Sequence, residues 1–354
     1  MKALLLSGYA AVSHRHWTRG LLREFPDIDW TLLELPPRHF QWRVRGNPLI
    51  WLSERANLLA EPYDLVLATS MVDLATLIGL FPTLARAHKV VYFHENQFAF
   101  PRSPNQPLRP EPLMVNLYAA LAADRVAFNS AYNRDSFVAG VSDFLSRMPD
   151  KPAIGPRLDR LAAQAQVLPV PLDEPPLSSA RAAASRHARR IVWNHRWEYD
   201  KNPETFFAAL ATLSERGIDF EVAVMGQQFR QRPPVFDEAR EWLGERVVCW
   251  GEQPVEAYRA MLDSASIVVS TTHHEFQGLA IMEAVQRGCL PLVPDRLCFP
   301  QFYPEACRYA GSQVALEARL AQWLSEPASR PALPDARVWQ WPAWRDAYRR
   351  LLGV

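Results

Sequence analysis

Two patterns of apolar and polar positions alternate along most of the chain. Short apolar runs rich in β-branched residues predict buried strands, and apolar residues repeating every three to four positions predict helices. In the first half, strands are predicted at residues 2–7, 30–34, 65–68, 90–94, 126–129 and 166–169. Helices are predicted between them at residues 17–24, 72–87, 114–122 and 131–141.

The same alternation restarts at residue 191. Strands are predicted at residues 191–193, 220–225, 247–250, 267–270 and 290–293, and helices at 203–215, 236–243, 255–262 and 279–287. Residues 173–189 are rich in Pro, Ser, Ala and Arg and lack apolar periodicity, which is typical of a linker. We therefore predict a first domain at 1–172, a linker at 173–189 and a second domain at 190–336.

Alternating strands and helices indicate an α/β fold with two doubly wound, Rossmann-like domains. In such sheets ligands bind at the carboxyl ends of the strands. Residues 337–354 contain three tryptophans and show amphipathic spacing. They are expected to form a helix packed across the junction of the domains; a surface helix at the chain end is the alternative.

Two carboxylates follow a predicted strand of the second domain. Glu275 lies in the loop at the strand end, Gly278 and Leu279 open the next helix, and Glu283 lies in its second turn. Free N–H groups at a helix start suit phosphate and sugar oxygens, and carboxylates can bind pairs of hydroxyls. Alternatively, Glu275 is an ordinary N-terminal helix charge and Glu283 pairs with Arg287.

Two cations follow the first strand of the second domain. Arg196 and Lys201 flank a loop that enters a helix at Pro203, a favourable first helical residue. Such a pair can neutralise a departing diphosphate without a metal. The alternative is a pair of surface charges with Glu198 and Asp200 as partners.

Polar residues also follow strands in the first domain. His94 ends one strand. Its side chain could bind a sugar hydroxyl, or its backbone carbonyl could stabilise positive charge; the alternative is a structural histidine. The other candidates near these strand ends are Gly8, Ser13, His14, Arg15, Glu95, Asn96, Gln97 and Asn129. Neither the His94–Glu95 pair nor the His273–His274 pair has a complete ligand set, so no metal site is predicted.

Composition narrows the class of protein. The 354 residues are 49% hydrophobic and 22% charged with a net charge of +1, which suits a globular protein of two domains without bulk basicity. The four cysteines show no metal or redox spacing and are expected to be free thiols. The N-terminal apolar run is too short for a signal peptide, so a cytoplasmic protein without membrane contact is expected.

These stretches together resemble one family, the tRNA-queuosine mannosyltransferases, which are retaining glycosyltransferases of the GT-B class, similar to family 4. The E-x7-E pattern of Glu275 and Glu283 is common to many transferases. The matching blocks lie at residues 40–45 (Phe-Gln-Trp-Arg-Val-Arg), 92–101, 128–137, 195–203, 274–283 and 288–291. The Trp-Arg-Val-Arg block at 42–45 and the His-Glu-Asn-Gln block at 94–97 are far more selective than E-x7-E. They extend from about residue 7 to residue 305 and cover most of the chain.

The resemblance implies a GT-B fold, in which two Rossmann-like domains face each other across a cleft. It also implies transfer of mannose from GDP-mannose, without a metal or other cofactor, to the cyclopentene-diol of queuosine in the anticodon of aspartate tRNA. Glu275 would hold the sugar, Glu283 the ribose, and Arg196 with Lys201 the diphosphate. His94 is counted with the catalytic residues, and the remaining donor-binding positions are Gly8, Asn129, Gly278 and Leu279.

A basic and aromatic segment gives separate support for an RNA partner. Residues 36–55 hold Arg38, His39, Phe40, Trp42, Arg43, Arg45, Trp51 and Arg55, with Glu54 as the one acid. Such side chains can pair with phosphates and stack on bases, although a solvated helix-and-loop face fits equally well. The predicted acceptor-binding residues are Ser13, His14, Arg15, Trp42, Arg43, Arg45, Glu95, Asn96 and Gln97.

Two other functions stay open at this point. One is a GT-B glycosyltransferase with a lipid, glycan or small-molecule acceptor, which would share the donor site. The other is a non-catalytic RNA-binding protein that kept the fold. The presence of all four donor-site residues argues against it: Glu275, Glu283, Arg196 and Lys201. The sequence leaves the oligomeric state undetermined.

Overall fold

The computed structural model describes residues 1–100, 109–175, 186–229 and 232–354. The chain divides into two compact units, Met1–Asp173 with Trp341–Val354, and Glu174–Gln340. Residues 176–185 of the predicted linker 173–189, and the last residue of the 92–101 block, lie outside the described residues. Among the described helices, none combines the length and apolar character needed to cross a membrane.

The first unit is built on a six-stranded parallel sheet with the order β2-β1-β3-β4-β5-β6. Its strands are β1 (Lys2–Ser7), β2 (Asp29–Glu34), β3 (Leu65–Thr69), β4 (His88–Phe93), β5 (Arg125–Phe128) and β6 (Gln166–Val167). Strand β3 is buried along its whole length, as expected of a strand with both faces covered. The strand order reverses between β1 and β3, so the crevice of this sheet lies at their carboxyl ends.

The helices of the first unit are α1 (Val12–Glu24), α2 (Phe40–Leu59), α3 (Leu74–Leu80), α4 (Pro110–Ala122), α5 (Ala131–Ser146) and α6 (Gly155–Gln164). The single helix predicted at 72–87 is wrong. Helix α3 ends before Phe81, and a 3₁₀ helix follows at Pro82–Arg86. Pro82 lacks an N–H group and holds the preceding Phe81 outside the helical region, with φ of −129°.

The second unit is also built on a six-stranded parallel sheet, with the order β12-β11-β10-β7-β8-β9. Its strands are β7 (His187–Trp193), β8 (Glu221–Met225), β9 (Val247–Gly251), β10 (Ala265–Val269), β11 (Leu290–Pro294) and β12 (Arg308–Tyr309). Its helices are α7 (Pro203–Glu215), α8 (Val235–Leu243), α9 (Val255–Ser264), α10 (Leu279–Gln286), α11 (Phe299–Phe302) and α12 (Gln313–Ser325). The order reverses between β7 and β10, which places the loops after these two strands side by side. The predicted α/β class with two parallel sheets is confirmed.

The last helix, α13 (Trp341–Leu352), belongs to the first unit. It begins later than the predicted residue 337, because Ala336–Trp339 forms a 3₁₀ helix in the second unit. The buried Tyr348 hydroxyl accepts a hydrogen bond from Trp17 Nε1 at 3.0 Å and lies 3.0 Å from the Pro169 carbonyl. The tryptophan-rich chain end thus packs on α1 of the first unit.

Gly20 of α1 is expected to be required for this packing. A Cβ atom at position 20 would lie 2.4 Å from Cζ2 of the buried Trp341 ring, so we expect Gly20→Ala to lower the free energy of unfolding by about 1–3 kcal/mol. Gly79→Ala in α3 is the control, since a Cβ there meets nothing within 4 Å and alanine favours a helix by roughly 0.5–1 kcal/mol. Urea denaturation of both variants measures the difference; equal or increased stability of Gly20→Ala would contradict the packing.

Candidate active site

The loops after β7 and β10 are bound to each other by hydrogen bonds. Thr271 Oγ1 donates to the Lys201 carbonyl at 2.9 Å, and Thr272 Oγ1 donates to the Asp200 carbonyl at 3.0 Å. The His273 N–H also donates to the Asp200 carbonyl, at 2.8 Å. These contacts bring the two predicted functional stretches of the second unit together.

Lys201 and Glu275 form a buried ion pair at this junction. Lys201 Nζ lies 3.2 Å from Glu275 Oε2 and 3.3 Å from Asp200 Oδ2, and it donates to the His274 carbonyl at 2.9 Å. The side chain of Lys201 is 9% exposed and that of Glu275 is 21% exposed. The surface alternative considered for Lys201 is therefore wrong.

The pair fixes the charge of both groups. Burial alone would raise the pKa of Glu275, but Lys201, followed by His195 and His274, lowers that pKa to about 2. Burial likewise opposes the charge of Lys201, yet Glu275 and Asp200 raise the pKa of Lys201 above its ordinary value. Glu275 is a carboxylate and Lys201 an ammonium group throughout the neutral range.

His195 also belongs to this cluster, since Lys201, Glu275 and Asp200 all influence its pKa. No role was predicted for it. Burial, followed by the nearby Lys201, lowers its pKa to about 4, so its imidazole is neutral at pH 7. A backbone hydrogen bond with Val269 holds the ring, and Nε2 has no hydrogen-bond partner in the described part of the chain. A Cβ at Gly226 would lie 1.8 Å from the His195 carbonyl, so only glycine allows β8 to approach this loop. The signal in the sequence was the position of His195 beside Arg196.

Arg196 lies apart from the Lys201–Glu275 pair. Its side chain is 50% exposed and its Nη2 lies 2.9 Å from Glu198 Oε2. For Arg196 the structure therefore agrees with the surface alternative. Its predicted contact with a diphosphate stays a prediction and would require the side chain to leave Glu198.

Glu283 is connected by hydrogen bonds to Tyr258 and, through Tyr258, to Asn194; no role was predicted for either residue. Tyr258 donates its hydroxyl proton to Glu283 Oε2 at 3.3 Å, and Asn194 Nδ2 donates to the Tyr258 hydroxyl at 2.9 Å. Arg287, the alternative partner predicted for Glu283, binds both oxygens of Asp263 through Nη1, at 2.8 and 2.9 Å. The Glu283 carboxylate is thus oriented by a tyrosine.

Gly278 caps helix α10 and comes close to Glu275. Its φ of +81° favours glycine, and a Cβ there would lie 3.2 Å from the Phe299 ring and 3.6 Å from Glu275 Cγ. As the N-cap, Gly278 has no side chain to cap the helix that begins at Leu279. The second unit thus brings Lys201, Glu275, Gly278 and Leu279 to one end of the sheet, where β7 and β10 meet.

In the first unit, His94 and His14 form a buried pair of rings. Their centroids lie 4.1 Å apart, and His94 also packs on Trp17. Glu95 Oε1 lies 3.5 Å from His14 Nε2. Burial, followed by His14 and His16, lowers the pKa of His94 well below its ordinary value, so His94 is neutral at pH 7.

Three predicted site residues of the first unit hold the loops after β4 and β5. Asn129 Nδ2 donates to the His94 carbonyl at 2.8 Å, and Asn96 Nδ2 donates to the Asn133 side chain at 2.9 Å. The Gln97 N–H donates to Asn116 Oδ1 at 2.8 Å. These contacts show an architectural role, and the ligand contacts predicted for the three residues stay predictions.

The remaining predicted residues of the first unit lie on α1, on α2 and after β1. Ser13 is partly buried and Arg15 is exposed on α1, and Trp42 is 56% exposed on α2. Arg45 pairs with the buried Asp73, whereas Arg43 is buried. Gly8 follows β1, where a Cβ would lie 2.8 Å from the Met71 carbonyl after β3.

Comparison with known proteins identifies the family. A family model described as the N-terminal region of tRNA-queuosine alpha-mannosyltransferase matches residues 2–172, and one described as glycosyl transferases group 1 matches residues 182–332. A tRNA-queuosine alpha-mannosyltransferase of Drosophila melanogaster is 32% identical over 334 residues, which are 92% of this chain and 87% of the fly protein. The chain belongs to the tRNA-queuosine alpha-mannosyltransferase family. The family predicted from the motifs is confirmed, and the protein is a glycosyltransferase.

Solved structures confirm the GT-B fold of this tRNA-queuosine alpha-mannosyltransferase family member. A sucrose-phosphate synthase from Thermosynechococcus elongatus aligns with a TM-score of 0.71 at 16% identity, covering 99% of both chains. Anabaena HepE in complex with UDP aligns with a TM-score of 0.66 at 14% identity, again covering 99% of both chains. At these identities the likeness concerns the fold alone.

The hydrogen bond from Tyr258 to Glu283 can be tested by mutation. Tyr258→Phe removes the hydrogen bond that orients Glu283, and we expect the KM for the nucleotide sugar to rise about three- to tenfold, because this long hydrogen bond to a carboxylate contributes about 1 kcal/mol. The value of kcat should change less than twofold, since the predicted partner of Glu283 is the ribose and not the departing diphosphate. Initial-rate kinetics at varied donor concentration measure both constants; an unchanged KM would contradict the role given to Tyr258.

Proposed function

We propose that this protein transfers mannose from GDP-mannose to the cyclopentene-diol of queuosine in the anticodon of aspartate tRNA, with retention of configuration. The fly relative, which shares 32% identity across 92% of the chain, supports a tRNA acceptor and a nucleotide-sugar donor. The buried Lys201–Glu275 pair is the structural observation that carries the proposal. It provides a fixed cation and a fixed carboxylate at the carboxyl end of the second sheet.

Each group of the pair suits one part of a nucleotide sugar. The Lys201 ammonium can stabilise the negative charge that grows on the diphosphate as the bond to the sugar breaks. The Glu275 carboxylate accepts the Phe276 N–H at 3.1 Å through Oε1 and retains acceptor capacity for sugar hydroxyls. Glu283, oriented by Tyr258, would bind the ribose hydroxyls, and Arg196 would add a second cation.

The proposed chemistry breaks the bond between mannose C1 and the phosphate oxygen and forms a bond from C1 to an acceptor hydroxyl oxygen. The acceptor proton passes to the departing phosphate oxygen, so the products are GDP and the mannosylated acceptor. Positive charge develops at C1 in an oxocarbenium-like transition state, and the nearby Glu275 carboxylate favours it. With a pKa near 2 and Lys201 beside it, Glu275 is a weak nucleophile and acts through its charge.

The acceptor would bind to the first unit. The buried His14 and His94 rings and the adjacent Glu95 offer polar groups suited to hydroxyls, and exposed Trp42 on α2 offers a ring on which a base can stack. We propose no metal cofactor, because Lys201 supplies the positive charge that a bound cation would otherwise provide.

A transfer assay with matched acceptors tests the proposal. Purified protein is incubated with GDP-mannose, GDP-glucose, UDP-glucose or UDP-galactose and with tRNA prepared from cells that make or lack queuosine. We expect one mannose to be added only with GDP-mannose and queuosine-containing tRNA, and the rate to be unaffected by EDTA. Equal transfer to tRNA lacking queuosine, or to a lipid or glycan acceptor alone, would contradict the proposal.

A further inference from the structure

A buried arginine on α2 lacks the partners that buried arginines ordinarily have. Arg43 is 7% exposed, and its Nε and Nη1 make no hydrogen bond within the described ranges of the chain. Arg45, two residues later on the same helix, is paired with Asp73. A buried charge without a partner destabilises a folded protein, so the folded state alone gives no reason for arginine at position 43.

Two arginines lie at the start of α2. Arg43 is in the first turn of this 20-residue helix, whose N-cap His39 gives no capping hydrogen bond, and the exposed Arg38 directly precedes the cap. Burial, followed by Arg38, lowers the pKa of Arg43, while Glu54 opposes this shift. The charges of both arginines therefore add to the positive end of the helix dipole.

This combination suits an anion that is supplied by a ligand. When the Arg43 side chain turns outward from its buried position, its guanidinium group can bind a phosphate through parallel hydrogen bonds from its planar fork. Free N–H groups at a helix start add to the attraction. Trp42 directly precedes Arg43 in the sequence and is 56% exposed. Its ring can stack on an unpaired base next to the phosphate. An RNA backbone presents both groups together.

We propose that Arg43, with Arg38 and the start of α2, binds one phosphodiester of the RNA acceptor. The inference rests on the proposed function for the identity of the RNA, and it names a specific backbone contact on the first unit. A phosphate contact carries no base information, so it holds the tRNA in position while other residues select queuosine.

Removing the guanidinium should have opposite effects on stability and on RNA binding. We expect Arg43→Met to unfold at a higher temperature than the wild-type protein when no RNA is present, because an unpaired buried charge is replaced by an apolar group of similar length. The same variant should bind queuosine-containing tRNA about tenfold more weakly. The slope of log K against log salt concentration should fall by about 1, as expected for one lost phosphate contact. Arg43→Lys, which keeps the charge without the fork, should lie between the two proteins.

Arg160→Met is the matched control, because Arg160 is an exposed arginine on α6 of the same unit. It makes the same change in net charge and should leave the melting temperature, the binding constant and the salt slope unchanged. Inorganic phosphate separates the two sources of the anion: it should compete with tRNA only at millimolar concentration or above, since the contact belongs to a larger RNA surface.

Fluorescence anisotropy across a salt series measures the binding constants and salt slopes, and thermal unfolding of the free proteins measures the melting temperatures. Wild-type binding constants and salt slopes in both Arg43 variants would overturn the phosphate contact, as would a lower melting temperature in Arg43→Met. If wild-type protein transfers mannose normally in that event, the proposed function stands. A wild-type protein that fails to bind tRNA would overturn both.

Discussion

Glu275→Gln is expected to lower the rate of sugar transfer by about 10²–10³-fold, comparable to losing one electrostatic group that acts on the transition state. Glutamine has the size of glutamate but carries an amide nitrogen. That nitrogen would face either the Lys201 ammonium or the Phe276 N–H, both of which are donors. The negative charge beside the developing positive charge at the sugar is lost as well. The protein should still fold, because Lys201 keeps Asp200 and the His274 carbonyl.

The matched control for this change is Glu256→Gln, since Glu256 is exposed on α9 of the same unit. Steady-state transfer with saturating tRNA and a tRNA-binding measurement without donor give the comparison. The control should keep its full transfer rate, and both variants should bind tRNA as the wild-type protein does. Undiminished transfer by Glu275→Gln would remove the central residue from the proposed site.

Lys201→Met is expected to damage both folding and transfer. Methionine fills much of the lysine volume but leaves the Glu275 and Asp200 carboxylates close together without a cation. Breaking a buried ion pair in this way lowers the free energy of unfolding by about 3–5 kcal/mol. Transfer should fall about 10²-fold or more, because the departing diphosphate loses its buried cation. Urea denaturation and transfer assays measure the two effects.

The stability loss in Lys201→Met should depend on pH. In the wild-type protein the lowered pKa of Glu275 stabilises the fold above its ordinary value of 4.5, and this contribution is lost as the pH falls towards about 2. The raised pKa of Lys201 stabilises the fold below its ordinary value of 10.5 and is lost as the pH rises above that range. The gap between wild type and variant should therefore be wide at pH 7 and narrower at pH 3.

Lys89→Met controls for the loss of one partly buried lysine. Lys89 Nζ lies 2.7 Å from Asp124, and its side chain is 13% exposed, but it belongs to β4 of the first unit. Its loss should lower stability by less than about 1 kcal/mol, because the Asp124 side chain is 45% exposed, and it should leave transfer unchanged. A Lys201→Met protein as stable and active as this control would contradict the buried pair.

Most strands with continuous apolar runs could be predicted from the sequence to within one or two residues, since burial on both faces leaves a clear signal. Strand β7 begins at His187, four residues before the predicted start, because its first residues are mostly polar and exposed. Helix α2 could not be predicted from the sequence, because its apolar residues lie on all sides and Pro48 lies inside it. Helix α12 and the two-residue strand β12 were also not predicted. A two-residue strand such as β12 is too short to show a pattern of its own and is recognised by its pairing with β11.

The site shows the same division. E-x7-E and the lysine after β7 identified Glu275, Glu283 and Lys201, but only the fold shows that Lys201 and Glu275 are in contact across 74 residues of sequence. His195 and Tyr258 escaped notice because a histidine in a loop and a tyrosine on a helix are common. Their importance follows from the burial of one and the hydrogen bond of the other to Glu283.

The most direct test of the account is the mass of the queuosine nucleoside after reaction. Queuosine-containing tRNA is incubated with GDP-mannose and the purified protein, digested to nucleosides and analysed by mass spectrometry, with Glu275→Gln in parallel. The account predicts that wild-type protein converts queuosine to a nucleoside heavier by one hexose residue and that the variant leaves it almost unchanged. Queuosine left unmodified by the folded wild-type protein, or equal conversion by the variant, would contradict the account.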